Sequence, residues 1–419
     1  QTEKKRNKVP CHDCIFTSRS LVCRTKMCNI VRGVDPLMHR YWDNIRLFHS
    51  GDSFFKSVLE DFRNARETIQ IETYIFEVDR LTRLLIEEMR AARQRGVRIQ
   101  ILVDGWGSFF WINSIARICN ENEFEFQVYQ PLPTTLSRLR RLALPFFFRF
   151  LRFLRRWNLR NHRKIILIDK KVAYLGSMNW TQVHSESALG TSAWRDSGVR
   201  LEGESVRDIV YFHERAWMRA KRGALRTFFR RKGRGVYQLK TSWVRFNANL
   251  THRLRIYTDF LRRIRRARRQ IRLTSAYFLP RRSLYRALIR AARRGVRVQI
   301  LVPGPSDVPV VKLAAFEVVR GLIRAGIEVY EYQRTILHAK ISILDDWATI
   351  GSANLNHRSL LHDLEVEAVL ADSESLENLN NQFEIDLQSS RRCQENDFRE
   401  IKWHWRVLSR IAYWFRYIL

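Results

Sequence analysis

The hydrophobic and polar positions of this chain repeat as one pattern used twice. Residues 92–105 read ARQRGVRIQILVDG, and residues 292–304 read ARRGVRVQILVPG. Each is the end of a basic helix, a glycine able to stop it, and an apolar run typical of a buried strand. Upstream, TIQIETYIF (68–76) and QIRLTSAYF (270–278) are rich in β-branched and aromatic residues and predict strands. Helical periodicity fills 81–95 and 282–294 between them. Each half therefore begins strand, helix, strand, which predicts parallel pairing through a right-handed crossover. Further on, RKIILIDKKVAYL (163–175) and AKISILDDWATI (339–350) each predict two short strands joined by a tight polar turn. One more strand follows in each half, at 197–201 and 365–370.

A repeat of this length and order implies two α/β domains of one design. The expected organisation is an N-terminal segment over 1–40, a first domain over 41–225, a second over 226–398, and an amphipathic helix over 399–419. The junction is expected in the Arg/Gly-rich stretch 221–235, where apolar patterning lapses. The halves differ in one respect. Gly96 and His162 are 66 residues apart, whereas Gly295 and His338 are 43 apart. The extra residues of the first half fall around 131–160 and interleave Phe, Leu and Trp with Arg.

Composition adds a partner class. The 419 residues carry a formal charge of +33, spread along the chain, and 45% of them are hydrophobic. Such a chain folds, and its field selects anionic partners: nucleic acid, anionic lipid or acidic protein. No apolar run approaches the length of a membrane-spanning helix, and no signal peptide is visible after Gln1. Cys11, Cys14, Cys23 and Cys28 cluster in the N-terminal segment, where metal ligation, disulfides and free thiols all remain open. Cys119 and Cys393 read as isolated core thiols.

The chemistry sits in a doubled motif. His162, Lys164 and Asp169 are followed by Gly176-Ser177-Met178-Asn179, and His338, Lys340 and Asp345 by Gly351-Ser352-Ala353-Asn354. His-x-Lys puts both side chains on one face of a strand. A neutral imidazole can attack a phosphodiester phosphorus and leave again in a second step. The ammonium groups of Lys164 and Lys340 and donors from Ser177, Asn179, Ser352 and Asn354 suit the charge that builds on the non-bridging oxygens. The second histidine can protonate the departing alcohol and later deprotonate the acceptor. A pseudo-twofold would bring the two sets face to face with no metal or cofactor. Asp196 and Glu365 occupy equivalent places after the Gly-Ser-x-Asn turns, and each is expected on a histidine ring nitrogen. Asp169 and Asp345 belong to the motif, but their places at a turn suggest structural ion pairs.

The paired His-x-Lys-x4-Asp with Gly-Ser-x-Asn resembles the signature of the phospholipase D superfamily. MHRYWDNIRLFHSGDSFF, RGVRIQILVDGWGS, RRGVRVQILVPGPSDVP and WATIGSANLNHRSL extend the likeness to bacterial cardiolipin synthases, of the type without N-terminal membrane helices, over roughly residues 38–419. The resemblance implies two phospholipase D-like domains with the site at their interface. It also implies phosphatidyl transfer between two phosphatidylglycerol molecules with loss of glycerol, His162 as nucleophile and His338 as acid/base. The second motif departs from the family by one residue between Asp345 and Gly351, so its turn should be one residue shorter.

The expected partner is an anionic phospholipid membrane, bound peripherally, with the bacterial inner membrane as location and no nucleic acid. Membrane contact is expected from Phe146, Phe147, Phe150 and Trp157 in the insertion, and from Trp403, Trp405 and Trp414 in the last helix. There Trp403, Val407, Ile411, Trp414 and Ile418 fall on one face, and Lys402, Arg406, Arg410 and Ser409 on another. The rival readings are a nuclease, which the charge suits, a lipid hydrolase, and a non-enzymatic membrane scaffold. His49, His184, His213 and His357 receive no special role.

Overall fold

A computed structural model describes residues 42–131, 159–226, 243–398 and 403–414. The cysteine-bearing segment, the insertion aromatics Phe146, Phe147, Phe150 and Trp157, residues 227–235 of the expected junction, and Lys402 and Ile418 lie outside them.

The first half runs β1 (Asn44–Phe48), α1 (Gly51–Asn64), β2 (Thr68–Thr73), α2 (Arg80–Gln94), β3 (Arg98–Asp104), α3 (Ile112–Glu121), β4 (Glu125–Tyr129), β5 (Ile165–Ile168), β6 (Val172–Gly176), α4 (Glu186–Leu189), β7 (Gly198–Glu202) and α5 (Val206–Arg226). The second runs β8 (Val244–Phe246), α6 (Leu250–Arg266), β9 (Gln270–Thr274), α7 (Arg282–Arg293), β10 (Arg297–Pro303), α8 (Pro309–Arg324), β11 (Glu328–Tyr332), β12 (Ile341–Leu344), β13 (Trp347–Gly351), α9 (His357–Leu361), β14 (Val366–Leu370), α10 (Ser373–Gln388), β15 (Ser390–Arg392) and α11 (Trp403–Trp414).

The sheets share one design. The first has the order β1-β7-β6-β5-β2-β3-β4, the second β15-β11-β10-β9-β12-β13-β14-β8. In each, three consecutive strands are parallel (β2-β3-β4 and β9-β10-β11), and the hairpin that carries the motif joins them antiparallel. The predicted strands at 68–76 and 270–278 are shorter in the fold. Their last residues leave the sheet to give backbone N–H groups to the motif asparagines, Ile75 to Asn179 and Tyr277 to Asn354.

Local chemistry explains the boundaries. Helix α2 starts on a capping box between Asp79 and Thr82. Helices α2 and α7 stop at Gly96 and Gly295, whose φ of +93° and +86° only glycine adopts freely. At Gly176 and Gly351 the demand is steric. A Cβ would lie 2.7 Å from the Ser197 carbonyl oxygen and 2.2 Å from that of Val366. The motif glycines let the strand before the asparagine run flush against its neighbour.

The first hairpin has three turn residues between Ile168 and Val172, the second has two between Leu344 and Trp347. The one-residue deletion read from the second motif is therefore a shortened turn.

One face of each sheet packs on its own helices. The other faces pack on each other: Ile165, Leu167, Leu175 and Val199 of the first sheet meet Ile341, Ile343, Ile350 and Val366 of the second in one buried cluster. At about 1.5–3 kcal/mol per fully buried aliphatic side chain, this cluster holds the halves together. Cys119 and Cys393 are free thiols buried in the two helix-side cores.

Helix α11 packs against α8. Of its described side chains Ser409 and Ala412 are buried, whereas Leu408, Ile411 and Trp414 are exposed, Trp414 at 80%. This corrects the place of Ser409, expected on the polar face. Ser409 faces the protein because a small side chain lets two helices approach, and the apolar residues outside are left uncovered.

Candidate active site

Two backbone bridges across the halves build the site. Asn161, before His162, pairs with Leu364, before Glu365; Leu337, before His338, pairs with Arg195, before Asp196. The His162 N–H donates to the Leu364 carbonyl at 3.0 Å, and the His338 N–H to the Arg195 carbonyl at 2.8 Å. Each catalytic-type strand is thus zipped to the acid-bearing segment of the other half. Side chains follow. His162 Nδ1 lies 3.1 Å from both Glu365 oxygens, and His338 Nδ1 lies 2.7 Å from Asp196 Oδ2. Both carboxylates reach a histidine, as expected, and both do so across the interface. With Nδ1 turned to a carboxylate, Nε2 of each ring is left for chemistry.

Lys164 and Lys340 each fold back two residues and donate to the carbonyl of their own histidine, at 2.8 and 2.6 Å. Burial pushes Lys164 down to about 7, with Glu365 pulling up and Lys340 adding to the fall. Burial likewise takes Lys340 down to about 8 against the pull of Asp196 and Glu365. Such ammonium groups lack a full complement of anions, which an incoming phosphodiester supplies. Burial and then Lys164 and Lys340 hold His162 well below the usual imidazole range, so its ring is neutral.

The carboxylates differ. Burial lifts Glu365 to about 7, against Lys164 and the hydroxyl of Ser352. Burial also opposes ionisation of Asp196, but the adjoining imidazole of His338, then His184 and Lys340, hold it below the usual carboxylate range.

Four sets of residues named from the sequence take particular places. Ser177 and Ser352 give their hydroxyls to Asp196 and Glu365, so they orient the acids rather than bind phosphate. Asn179 and Asn354 accept backbone N–H groups through Oδ1, which leaves their amide nitrogens as the donor ends. Asp169 and Asp345, grouped with the catalytic residues, stand at the hairpin turns with φ of 50° and 52°. Among the described residues neither forms an ion pair; each accepts three backbone N–H groups at the start of the neighbouring central strand, from Arg66, Glu67 and Thr68 or from Arg268, Arg269 and Gln270. Finally, His184, His213 and His357 are buried. His213 Nδ1 sits 2.9 Å from buried Glu72, which also accepts from Asn161 beside His162.

Two further features escaped the sequence reading. Tyr74 stands edge-on to the His162 ring at 5.0 Å, with Lys164 Nζ over its face at 5.4 Å. Behind Tyr74 runs the β3–α3 loop, in which Trp106, Phe109 and Phe110 are 44%, 42% and 89% exposed. The loop is pinned: Asp104 accepts from the N–H groups of Trp106 and Gly107, and Ser108 Oγ donates to the Tyr74 carbonyl. The other oxygen of Asp104 accepts from Asn161 N–H, so one carboxylate ties the aromatic loop to the His162 strand. The available signal was the uncharged run GWGSFFW directly after a buried strand.

Of the expected membrane contacts, Trp414 is exposed at the end of α11. Trp403 and Trp405 lie on the same helix, with only their backbone among the described features.

Known proteins resemble this chain. Residues 58–194 and 260–387 match the family profile described as cardiolipin synthase, PLD-like domain. Cardiolipin synthase B of Escherichia coli is 32% identical over 343 residues, covering 80% of this chain and 78% of that protein. A probable cardiolipin synthase of Bacillus subtilis is 28% identical over 85% of this chain and 68% of its own length. The crystal structure of a phosphatidylserine synthase from Haemophilus influenzae superposes with a TM-score of 0.67 over 90% of this chain and 95% of that one; at 14% identity this is a likeness of fold.

Proposed function

As a member of the cardiolipin synthase family of phospholipase D-like enzymes, to which the chain belongs, the protein is, we propose, a phosphatidyltransferase that joins two phosphatidylglycerol molecules and releases glycerol. The observation that carries this reading is the pair of histidines, each held at Nδ1 by a carboxylate from the opposite half.

The steps follow from the geometry. Neutral His162 attacks the donor phosphorus through Nε2, while Glu365 keeps the proton on Nδ1. The bond from phosphorus to the headgroup glycerol breaks, and His338, protonated at Nε2 once the phosphate anion is bound, gives that proton to the leaving oxygen. Lys164, Lys340 and the amides of Asn179 and Asn354 stabilise the charge on the non-bridging oxygens. A hydroxyl of the second phosphatidylglycerol then loses its proton to His338 and attacks phosphorus. The N–P bond breaks, cardiolipin leaves, and both rings return to their starting states.

The protein works at an anionic membrane surface, the bacterial inner membrane, as a peripheral protein. The charge of +33 and the exposed Trp106, Phe109, Phe110, Ile411 and Trp414 support this. No helix among the described residues is long and apolar enough to cross a membrane. Purified protein with phosphatidylglycerol vesicles should yield cardiolipin and glycerol in equal amounts. Absence of both from the wild type, or their persistence in His162→Ala, would refute the assignment.

A further inference from the structure

His184 occupies a slot that the two halves fill differently. It is fully buried, five residues after the motif asparagine. Its Nε2 accepts the Asn179 N–H at 3.0 Å, so in the neutral ring the proton lies on Nδ1. That nitrogen sits 3.3 Å from Asp196 Oδ2, the oxygen that also receives His338. The ring stands 5.8 Å from the His338 ring, and Trp194 touches both. The start of α1 fixes it further: a Cβ on Gly51 would collide with the His184 backbone carbonyl.

In the second half the same slot, five residues after Asn354, holds Ser359. Its Oγ accepts the Asn354 N–H at 3.2 Å, and its hydroxyl reaches Glu365. One residue in each half thus stands between the motif asparagine and the acid, an imidazole on one side and a hydroxyl on the other.

We propose that His184 is a positioning residue which, by standing a second imidazole beside Asp196, makes Asp196–His338 the proton-carrying pair and leaves His162, backed by the Ser359–Glu365 side, to form the covalent bond. This deepens the transferase reading and rests on it. The groups acting on His184 are Asp196 and Asp79, which favour its charged form, and Lys340 and Lys164, which oppose it; burial dominates and takes it down to about 4, so its ring is neutral. Asp196 then carries the Ser177 hydroxyl and the Ser197 N–H on one oxygen and the His338 imidazole on the other, with His184 Nδ1 beside it. A carboxylate so held stays ionised and stabilises the imidazolium through which His338 must pass. Glu365 carries the His162 imidazole and the hydroxyls of Ser352 and Ser359, and gives His162 weaker support as a cation, which suits a ring that attacks while neutral.

The test traps the phosphatidyl adduct on the full-length protein with phosphatidylglycerol vesicles and maps it by mass spectrometry, alongside kcat and KM. The wild type should carry it on His162. In His184→Ser, kcat should fall about tenfold with KM within twofold, and the adduct should divide between His162 and His338. In His184→Asn, the amide can accept from Asn179 and donate to Asp196, so kcat should stay within about threefold of wild type and the adduct on His162. A serine variant with unchanged kcat and adduct on His162 alone would overturn the proposal. So would equal losses in both variants without any shift of adduct, which mark a merely structural role. Should the serine variant fail to fold, Ser359→His decides: adduct must spread to His338, and adduct on His162 alone overturns the idea. A wild type without any adduct would instead bring down the transferase reading itself.

Discussion

Around Asp196 the donors are the His338 imidazole at 2.7 Å, the Ser177 hydroxyl and the Ser197 N–H, with the His184 imidazole standing 3.3 Å away outside hydrogen-bond geometry. Around Glu365 they are one imidazole spread over both oxygens at 3.1 Å and the hydroxyls of Ser352 and Ser359. The backbone frames of the two sites are near copies; the charges within them are not. Asp196 is held ionised, whereas burial lifts Glu365 to about 7. A duplicated unit can therefore supply two histidines with unlike tasks. Strand pairing fixes where each ring stands, and the few side chains behind the carboxylate fix how readily it takes a proton.

The comparison can be broken hardest at the histidines. His162→Ala and His338→Ala should each cost about 10⁴-fold in kcat for cardiolipin formation, because residues that act as a unit fail together. Only His338→Ala should still accumulate a trapped adduct, on His162. Next come the carboxylates: Asp196→Asn should lower kcat about 10²–10³-fold and Glu365→Gln only about tenfold, since the first backs the ring that gives and takes a proton in both steps, whereas the second backs a ring charged only in the covalent intermediate. Equal losses would erase the distinction.

Glu365 also sharpens the contrast through pH. Its folded value lies above the ordinary carboxylate value, so its stability contribution is complete below about pH 4.5 and is lost as pH rises through 7. Relative to Glu365→Gln, the wild type should lose up to about 3 kcal/mol between pH 4.5 and 7, read as a widening gap in Tm. A constant gap would contradict the shift. Asp169→Ala and Asp345→Ala should cost about 1–3 kcal/mol of stability through orphaned strand-start N–H groups, with kcat retained while the protein is folded. A large fall in kcat at unchanged Tm would return them to the catalytic set. Smallest of all, Phe109→Ser with Phe110→Ser should weaken flotation with phosphatidylglycerol vesicles several-fold at fixed salt, and Trp414→Ser less, as each removes about 1–3 kcal/mol of insertable surface. Unchanged flotation would count against the loop as a membrane contact.

Much of the frame was legible because it is local. Gly96 and Gly295 stop helices through their own φ, and short apolar runs rich in β-branched residues mark strands whatever they pack on. The deletion after Asp345 spoke directly of a shorter turn. Less legible were Asp169 and Asp345: a carboxylate beside a turn reads as an ion pair, yet its partners are backbone groups a hundred and three or seventy-seven positions away. Ser409 was misjudged for a related reason, because helical periodicity separates faces but does not say which one a neighbour covers.

By itself, then, the sequence determined that one α/β unit is used twice and that each copy brings a histidine, a lysine and an asparagine at fixed spacing, since those facts are written in short-range order. Only the tertiary structure decided that Glu365 serves His162 and Asp196 serves His338. That choice depends on strand pairs between Asn161 and Leu364 and between Arg195 and Leu337. These register contacts join segments 142 and 203 residues apart, and no local propensity specifies them; packing of the two sheets' apolar faces does.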